Sequence, residues 1–110
     1  MNNSWEQYQV VVVNLDPTIG SEIKKTRPCV IISPDEMNRP LNTIVIAPVT
    51  SKSKPYPTRV KIELEGKECW VVIDQIRTID KRRIISTIGP LKEQEIKMTK
   101  AVIKETFVDE

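Results

Sequence analysis

The segment QVVVVNLDPTIGSEIKKTRPCVII, residues 9–32, holds two short runs of β-branched residues on either side of a polar loop. Branched side chains pack well on a pleated surface, so the segment predicts strands at residues 9–14 and 28–33. Asp16-Pro17 and Gly20 interrupt the first run, as turn residues do. Two strands that hold a loop rigidly at both ends are a common way to build a site. The loop offers a small hydroxyl, a carboxylate and a guanidinium, on Ser21, Glu22 and Arg27.

Further strands are predicted after this segment. The apolar run at residues 43–49 predicts a third strand, and the strict alternation at residues 58–64 predicts a half-exposed one. Glu65-Gly66-Lys67 predicts a tight turn into a partner strand at residues 68–73, which makes a hairpin. Residues 74–79 and 84–88 are weaker strand candidates. Ser33-Pro34 predicts a helical turn, in which Ser33 caps and Pro34 takes the first helical position.

The hydrophobic period changes near the end of the chain. Gly89-Pro90 predicts the end of the sheet, and an amphipathic helix follows it. One face of this helix contains Leu91, Glu95, Met98 and Val102, and it lies beside Ile96, Ile103 and Phe107. We expect Met98 and Phe107 to contact the core. Five or six short strands with one terminal helix predict a single, mainly β domain over residues 1–110, a small antiparallel barrel or sandwich.

Composition limits the chemistry. None of the 110 residues is histidine, which removes the side chain most often used for acid–base work near neutral pH. It also removes histidine-activated nucleophiles and nearly all zinc sites. No metal or other cofactor is therefore expected, and catalysis would have to use Arg, Lys, Asp, Glu, Ser, Thr or Tyr.

Charge and hydropathy restrict the location and the partners. The net charge of +2 permits an anionic partner without requiring one. No run approaches the roughly 18 apolar residues of a membrane span, and no signal-peptide pattern is visible at the start. A cytoplasmic protein is expected, in which Cys29 and Cys69 are small buried residues and not a disulfide.

Three blocks, in this order, resemble the MazF/PemK family of toxin endoribonucleases. The first comprises Asn14-Leu-Asp-Pro-Thr, Gly20-Ser-Glu and Thr26-Arg-Pro; the second is Ala47-Pro-Val-Thr-Ser51; the third is Asp74-Gln-Ile-Arg-Thr-Ile-Asp80. The resemblance spans nearly the whole chain. It implies an SH3-like small barrel with a C-terminal helix. It also implies metal-independent cleavage of single-stranded RNA, a homodimer and an acidic, MazE-like antitoxin.

The same resemblance suggests roles for seven residues. Arg27 and Thr50 align with the catalytic arginine and threonine, and Glu22 with an acidic loop position. The expected substrate contacts are Ser21, Ser51, Asp74 and Gln75. Some members of the family have histidine where this chain has Ser21 and arginine where it has Val72. A mechanism that needs that histidine or that arginine therefore cannot operate in this chain.

Several alternatives remain open from the sequence. Arg27 could be a surface residue before a proline, Thr50 could bond its own turn, and Glu22 could pair with Lys24 or Lys25. The proton acceptor could be Glu22, a perturbed Arg27, or no single group. Two other functions compete with RNA cleavage: a non-catalytic gyrase poison of the related CcdB-like barrel type, and a plain RNA-binding barrel.

Overall fold

A computed structural model describes residues 4–109; residues 1–3 and 110 of the predicted domain lie outside the described part. The described chain forms seven strands and two α-helices. They are β1 (Gln9–Asn14), β2 (Thr26–Ile31), α1 (Asp35–Asn38), β3 (Thr43–Thr50), β4 (Arg59–Leu64), β5 (Lys67–Val72), β6 (Arg77–Asp80), β7 (Ile84–Pro90) and α2 (Glu93–Phe107). Single 3₁₀ turns at Ile73–Gln75 and Lys81–Arg83 flank β6.

The strands form one curled antiparallel sheet. Their order is β4-β5-β3-β2-β1-β7, and β6 pairs with β3 off this path. The central strand β3 changes partners along its length: residues 43–46 pair with β6, residues 46–48 with β2 and residues 49–50 with β5. The result is a half-barrel with a C-terminal helix, which confirms the predicted fold class.

Both faces of the sheet are buried at its centre. Val10 and Val30 lie in one apolar cluster with Val102 of α2, whereas Val11 and Cys29 lie in a second cluster. Successive side chains of a strand point to opposite faces. Burial on both faces therefore explains why β1 is an unbroken valine run and not an alternating one.

Helix α2 packs against β4 and the 3₁₀ turn at Ile73–Gln75. Only a narrow stripe of the helix is buried, at Thr99 and Val102. The expectation that Met98 and Phe107 contact the core is wrong, because Met98 lies beside this stripe and is 53% exposed, and Phe107, the last helical residue, is 59% exposed. Within residues 4–109, neither helix is long and apolar enough to cross a membrane.

Two predicted strand ends are also corrected. β2 begins at Thr26 and not at residue 28, because Thr26 pairs with Asn14 and extends the hairpin. Arg27 is therefore the second residue of β2 and not a loop residue. The sheet does not stop before Gly89-Pro90, because both residues pair with β1 as the last two positions of β7.

Ser33 does not cap α1, since Pro34 occupies the N-cap position without a side-chain hydrogen bond. The buried Ser33 hydroxyl instead donates to Asn38 Oδ1 at 2.5 Å and accepts from the Val45 amide at 3.0 Å. It therefore ties α1 to β3, where a buried hydroxyl finds both of its partners.

The two cysteines are free and buried, as predicted. Burial raises the pKa of Cys29 to about 12 and also raises the pKa of Cys69. Because the thiolate is the reactive form, we expect iodoacetamide at pH 8 to leave both thiols unmodified in the folded protein and to alkylate both in urea. Mass spectrometry measures this directly. Rapid alkylation of either cysteine without denaturant would contradict the prediction.

Candidate active site

An open cleft of about 380 Å³ lies between the β1–β2 loop, residues 15–25, and the chain that follows β5. One wall consists of Ser21, Glu22 and Ile23, and the other of Asp74, Gln75, Ile76 and Arg77, with Pro48 of β3 between them. The cleft therefore brings together four of the seven predicted site residues, two from each wall. Arg27, Thr50 and Ser51 are not among the lining residues.

The β1–β2 loop is anchored at its base and on its cleft side. The Leu15 amide donates to the Lys25 carbonyl at 3.1 Å, which closes the base. Arg77 Nη1 donates to the Leu15 carbonyl at 3.2 Å. The Ile23 amide donates to Gln75 Oε1 at 2.8 Å, across the cleft. Among the described residues the Gln75 Nε2 group has no partner, so it can donate to a ligand while Oε1 accepts from Ile23.

Glu22 is exposed on the loop wall of the cleft. Its Oε1 accepts from the Ile19 amide at 2.6 Å, and its own amide donates to the Ile19 carbonyl at 3.2 Å. Among the described residues it forms no ion pair with Lys24 or Lys25. The reciprocal bonds hold the carboxylate close to the backbone at the cleft and leave its second oxygen open.

Arg27 and Thr50 lie on neighbouring strands. The β2–β3 pairing ends where Cys29 faces Pro48, because Val49 and Thr50 pair with β5. A hydrogen bond from Arg27 Nη1 to the Val49 carbonyl, at 3.3 Å, brings the guanidinium to the residue before Thr50. Arg27 Nε also donates to the Lys24 carbonyl at 3.1 Å. The guanidinium therefore sits at the junction of the β1–β2 loop and the end of β3.

The Thr50 hydroxyl is engaged within its own turn. It donates to the Lys52 carbonyl at 3.2 Å and accepts from the Lys52 amide at 3.3 Å. Thr50 is half-buried, and Ser51, one residue beyond β3, is exposed. A ligand could reach the hydroxyl, since a hydroxyl can accept a second bond or redirect its proton.

Asp74 is held by a network that the sequence did not reveal. Its Oδ1 accepts from Thr58 Oγ1 at 2.8 Å and Arg59 Nε at 2.9 Å, and its Oδ2 accepts from Arg59 Nη2 at 3.3 Å. Partial burial acts to raise the pKa of Asp74, but the hydrogen bonds from Arg59 and Thr58 outweigh it and the net pKa is lowered. Asp74 is therefore ionised near neutral pH and poorly suited to accept a proton.

Arg59 and Arg77 were missed as site residues. The alternation of residues 58–64 placed Arg59 on a solvent face, yet its side chain is only 17% exposed. Its burial depends on Asp74, 15 residues away, so no local pattern signals it. Arg77 lines the cleft, and its place within the third sequence block was the one sequence feature that could have pointed to a site role.

The basic turn Lys81–Arg83 is occupied by contacts within the protein. Arg83 Nη1 donates to the carbonyls of Asn14 and Asp16, at 3.2 and 2.5 Å. Lys81 Nζ donates to the Asn38 carbonyl. Arg82 pairs with Asp80 at 3.0 Å. These side chains brace the base of the β1–β2 loop and the end of α1.

The comparisons with known proteins concern the family and the fold. Residues 6–107 match the family model for the PemK-like, MazF-like toxin of type II toxin-antitoxin systems, and the chain belongs to this family. Its fold is similar to that of MazF from Deinococcus radiodurans, with a TM-score of 0.84 and 23% identity over 96% of this chain and 97% of that one.

Two mycobacterial structures share the fold as well. The Mycobacterium tuberculosis toxin MazF-mt6 has a TM-score of 0.76 and 20% identity, over 90% of this chain and 95% of that one. An endoribonuclease from Mycobacterial species, solved in complex with its cognate antitoxin, has a TM-score of 0.77 and 19% identity, over 91% of both chains.

Proposed function

We propose that this toxin is a metal-independent, sequence-specific endoribonuclease that cleaves single-stranded RNA. The observation that carries the proposal is the bond from Arg27 to the Val49 carbonyl, next to Thr50 at the end of β3, the strand whose Pro48 lines the same cleft as Glu22. Membership of the MazF-like toxin family favours RNA cleavage over gyrase poisoning, and a gyrase poison does not need this set of residues. We place the reaction in the cytoplasm.

RNA carries its own nucleophile, the 2′-OH. Its oxygen attacks the adjacent phosphorus, the P–O5′ bond breaks, and the products are a 2′,3′-cyclic phosphate and a 5′-OH. The 2′ proton goes to a base, and the 5′ oxygen gains a proton. The protein needs to orient the sugar, stabilise the charge on the phosphorane and assist the two proton transfers.

Arg27 and Thr50 are assigned to the charge on phosphorus. A guanidinium presents a planar fork that pairs with two phosphate oxygens, and the Thr50 hydroxyl adds a donor. The backbone bonds of Arg27 fix its guanidinium before substrate binds, as electrostatic stabilisation of a transition state requires. The Thr50 hydroxyl would turn its one proton from the Lys52 carbonyl to the phosphate. Ser21, Ser51 and Gln75 are assigned to binding the RNA, and Asp74 to the adjoining cleft wall.

Glu22 is our candidate for the base that accepts the 2′ proton. Its carboxylate is exposed on the cleft, and one oxygen is free of described partners. Asp74 is the other carboxylate on the cleft. Both of its oxygens accept hydrogen bonds from Arg59 or Thr58, and its pKa is lowered. Metal independence belongs to the proposal because, among residues 4–109, no three His, Cys, Asp or Glu side chains group as metal ligands.

We expect the purified protein to cleave single-stranded RNA in the presence of EDTA. The fragments should carry 2′,3′-cyclic phosphate and 5′-OH ends, because the nucleophile comes from the RNA. End mapping by mass spectrometry checks both ends, and RNA with a single 2′-deoxy nucleotide 5′ to the scissile phosphate is the matched control. Full protection by EDTA, 5′-phosphate ends, or cleavage of the 2′-deoxy substrate would each overturn the mechanism.

The proposed partners are a second copy of this chain and an acidic antitoxin. Structures of MazE–MazF complexes from Deinococcus radiodurans have the same fold, and β7 exposes Ile85 and Ile88 at the edge of the sheet. A surface that accepts phosphates also attracts carboxylates, so an extended acidic tail can follow the path of the RNA.

We expect the toxin to sediment as a dimer at micromolar concentration and the antitoxin to compete with RNA. The competition is measured by titrating the toxin–antitoxin complex with uncleavable RNA. Association of the two proteins should slow as salt is added, because the steering of opposite charges is screened. A monomer, or simultaneous binding of RNA and antitoxin at full affinity, would contradict this part of the proposal.

A further inference from the structure

The β3–β4 loop, residues 51–58, is held in place by the first residue of β4. Arg59 Nη1 donates to the Ser53 hydroxyl at 2.7 Å, while its Nε and Nη2 bind the carboxylate of Asp74. The Arg59 amide donates to the Tyr56 carbonyl at 3.0 Å. One guanidinium thus ties the middle of the loop to the cleft wall that contains Asp74.

The same guanidinium supports an exposed aromatic ring. The Arg59 Cζ atom lies 5.2 Å from the centroid of the Tyr56 ring, within the range of a cation–π contact. Tyr56 is nevertheless 49% exposed, so Arg59 covers only part of the ring. About half of the residue therefore remains open to a ligand.

The surroundings of Tyr56 suit one kind of ligand. Two exposed lysines, Lys52 and Lys54, lie in the same loop, and the Tyr56 amide donates to the Lys54 carbonyl at 2.8 Å. Arg59 connects the ring through Asp74 to the cleft. An exposed ring beside positive charge is how proteins bind single-stranded nucleic acid, because bases stack on the ring while the charges follow the backbone.

We propose that Tyr56, backed by Arg59, is a stacking platform for one base of the RNA substrate, at a position outside the scissile step. This inference rests on the proposed function. Stacking tolerates every base because each has a π-face, so the platform adds affinity and fixes the path of the strand. Arg59 acts as the positioning residue: it holds the ring, the loop and Asp74 in one arrangement.

The test combines Tyr56 variants with abasic RNA. We first map a cleaved sequence and make it uncleavable with a 2′-deoxy nucleotide 5′ to the scissile phosphate. An abasic nucleotide is then placed at each position in turn, and Kd is measured by fluorescence anisotropy. For the wild type and Tyr56→Phe, we expect one position away from the scissile step at which loss of the base weakens binding by about tenfold to a hundredfold.

Tyr56→Leu removes the ring and keeps an apolar side chain. We expect it to bind the intact RNA as weakly as the wild type binds the sensitive abasic RNA, with no further loss from the abasic nucleotide. Phe107→Leu is the matched control, since Phe107 is also an exposed aromatic residue but lies at the end of α2. It should keep the wild-type profile. Circular dichroism and thermal unfolding establish that each variant folds.

The outcomes separate the two proposals. If the wild type cleaves RNA but Tyr56→Leu keeps the abasic profile of the wild type, the platform is wrong and the proposed function stands. A similar loss of affinity at every abasic position, with no dependence on Tyr56, also overturns the platform. If the wild type neither cleaves nor binds any single-stranded RNA, the proposed function fails and the platform fails with it.

Discussion

Replacing Arg27 with alanine is expected to lower the rate of RNA cleavage by about a hundredfold to a thousandfold, the usual cost of losing one preorganised donor to developing charge. Arg27→Lys should also be strongly impaired, because an ammonium group keeps the charge but lacks the planar fork that pairs with two phosphate oxygens. The measurement is the single-turnover cleavage rate of a mapped RNA at saturating enzyme, which isolates the chemical step from binding.

The fold should survive this substitution. Arg27 is half-buried at a strand end, and it donates two hydrogen bonds to the carbonyls of Lys24 and Val49. Each bond from a charged donor contributes about 1.5–3 kcal/mol net, which lies within the ~5–15 kcal/mol stability of a typical domain. Arg82→Ala is the matched control, because Arg82 is exposed and its side chain pairs only with Asp80 among residues 4–109. A folded Arg27→Ala with full activity would remove Arg27 from the mechanism.

Substitutions of Thr50 test its assigned role as a donor to the charge on phosphorus, and they change the side chain less than Arg27→Ala does. Thr50→Val keeps the branched shape and removes the hydroxyl, so we expect it to lose activity, while Thr50→Ser retains the donor and should keep most of it. Both variants keep the strand pairing of Thr50 with Trp70. Equal activities of the two would show that the hydroxyl serves only its bond to the Lys52 backbone.

The strands and the cleft were predictable where the signal was local. The valine run of β1 and the alternation of β4 are strand patterns that need no tertiary information. The choice of Ser21, Glu22, Asp74 and Gln75 as site residues came from the resemblance of their blocks to the MazF/PemK family, and the structure places all four on one cleft. Those blocks were informative because binding loops carry residues chosen for chemistry and not for packing.

What the sequence did not reveal depends on distant partners. Met98 has the spacing of a buried residue, but the narrow contact between α2 and the sheet leaves it exposed. Arg59 has the spacing of an exposed residue, but Asp74 draws it under the β3–β4 loop. In both cases the hydrophobic period gives the face of an element, whereas burial depends on which neighbour covers that face.

Leu15→Ala is expected to lower the free energy of unfolding by about 2–5 kcal/mol, the range for large-to-small changes in a packed core. Leu15 is the first residue of the β1–β2 loop and is 0% exposed, within the second apolar cluster beside Val13 and Ile31. Removing its side chain leaves a cavity that neighbouring strands cannot fill, since their backbone pairing fixes their positions. Urea unfolding at a fixed protein concentration measures the loss.

The same substitution separates the stability of the loop from its chemistry. The bonds that anchor the loop at residue 15 use the backbone, namely the amide to Lys25 and the carbonyl to Arg77, and alanine keeps both. Leu15→Ala should therefore retain far more cleavage activity than Arg27→Ala when both are assayed well below their unfolding midpoints. Leu41→Ala, at a 44% exposed position, is the matched control and should change stability by less than about 0.5 kcal/mol. If Leu15→Ala were as stable as Leu41→Ala, the loop would not depend on this core contact, and its anchoring would rest on Arg77, Arg83 and Gln75 alone.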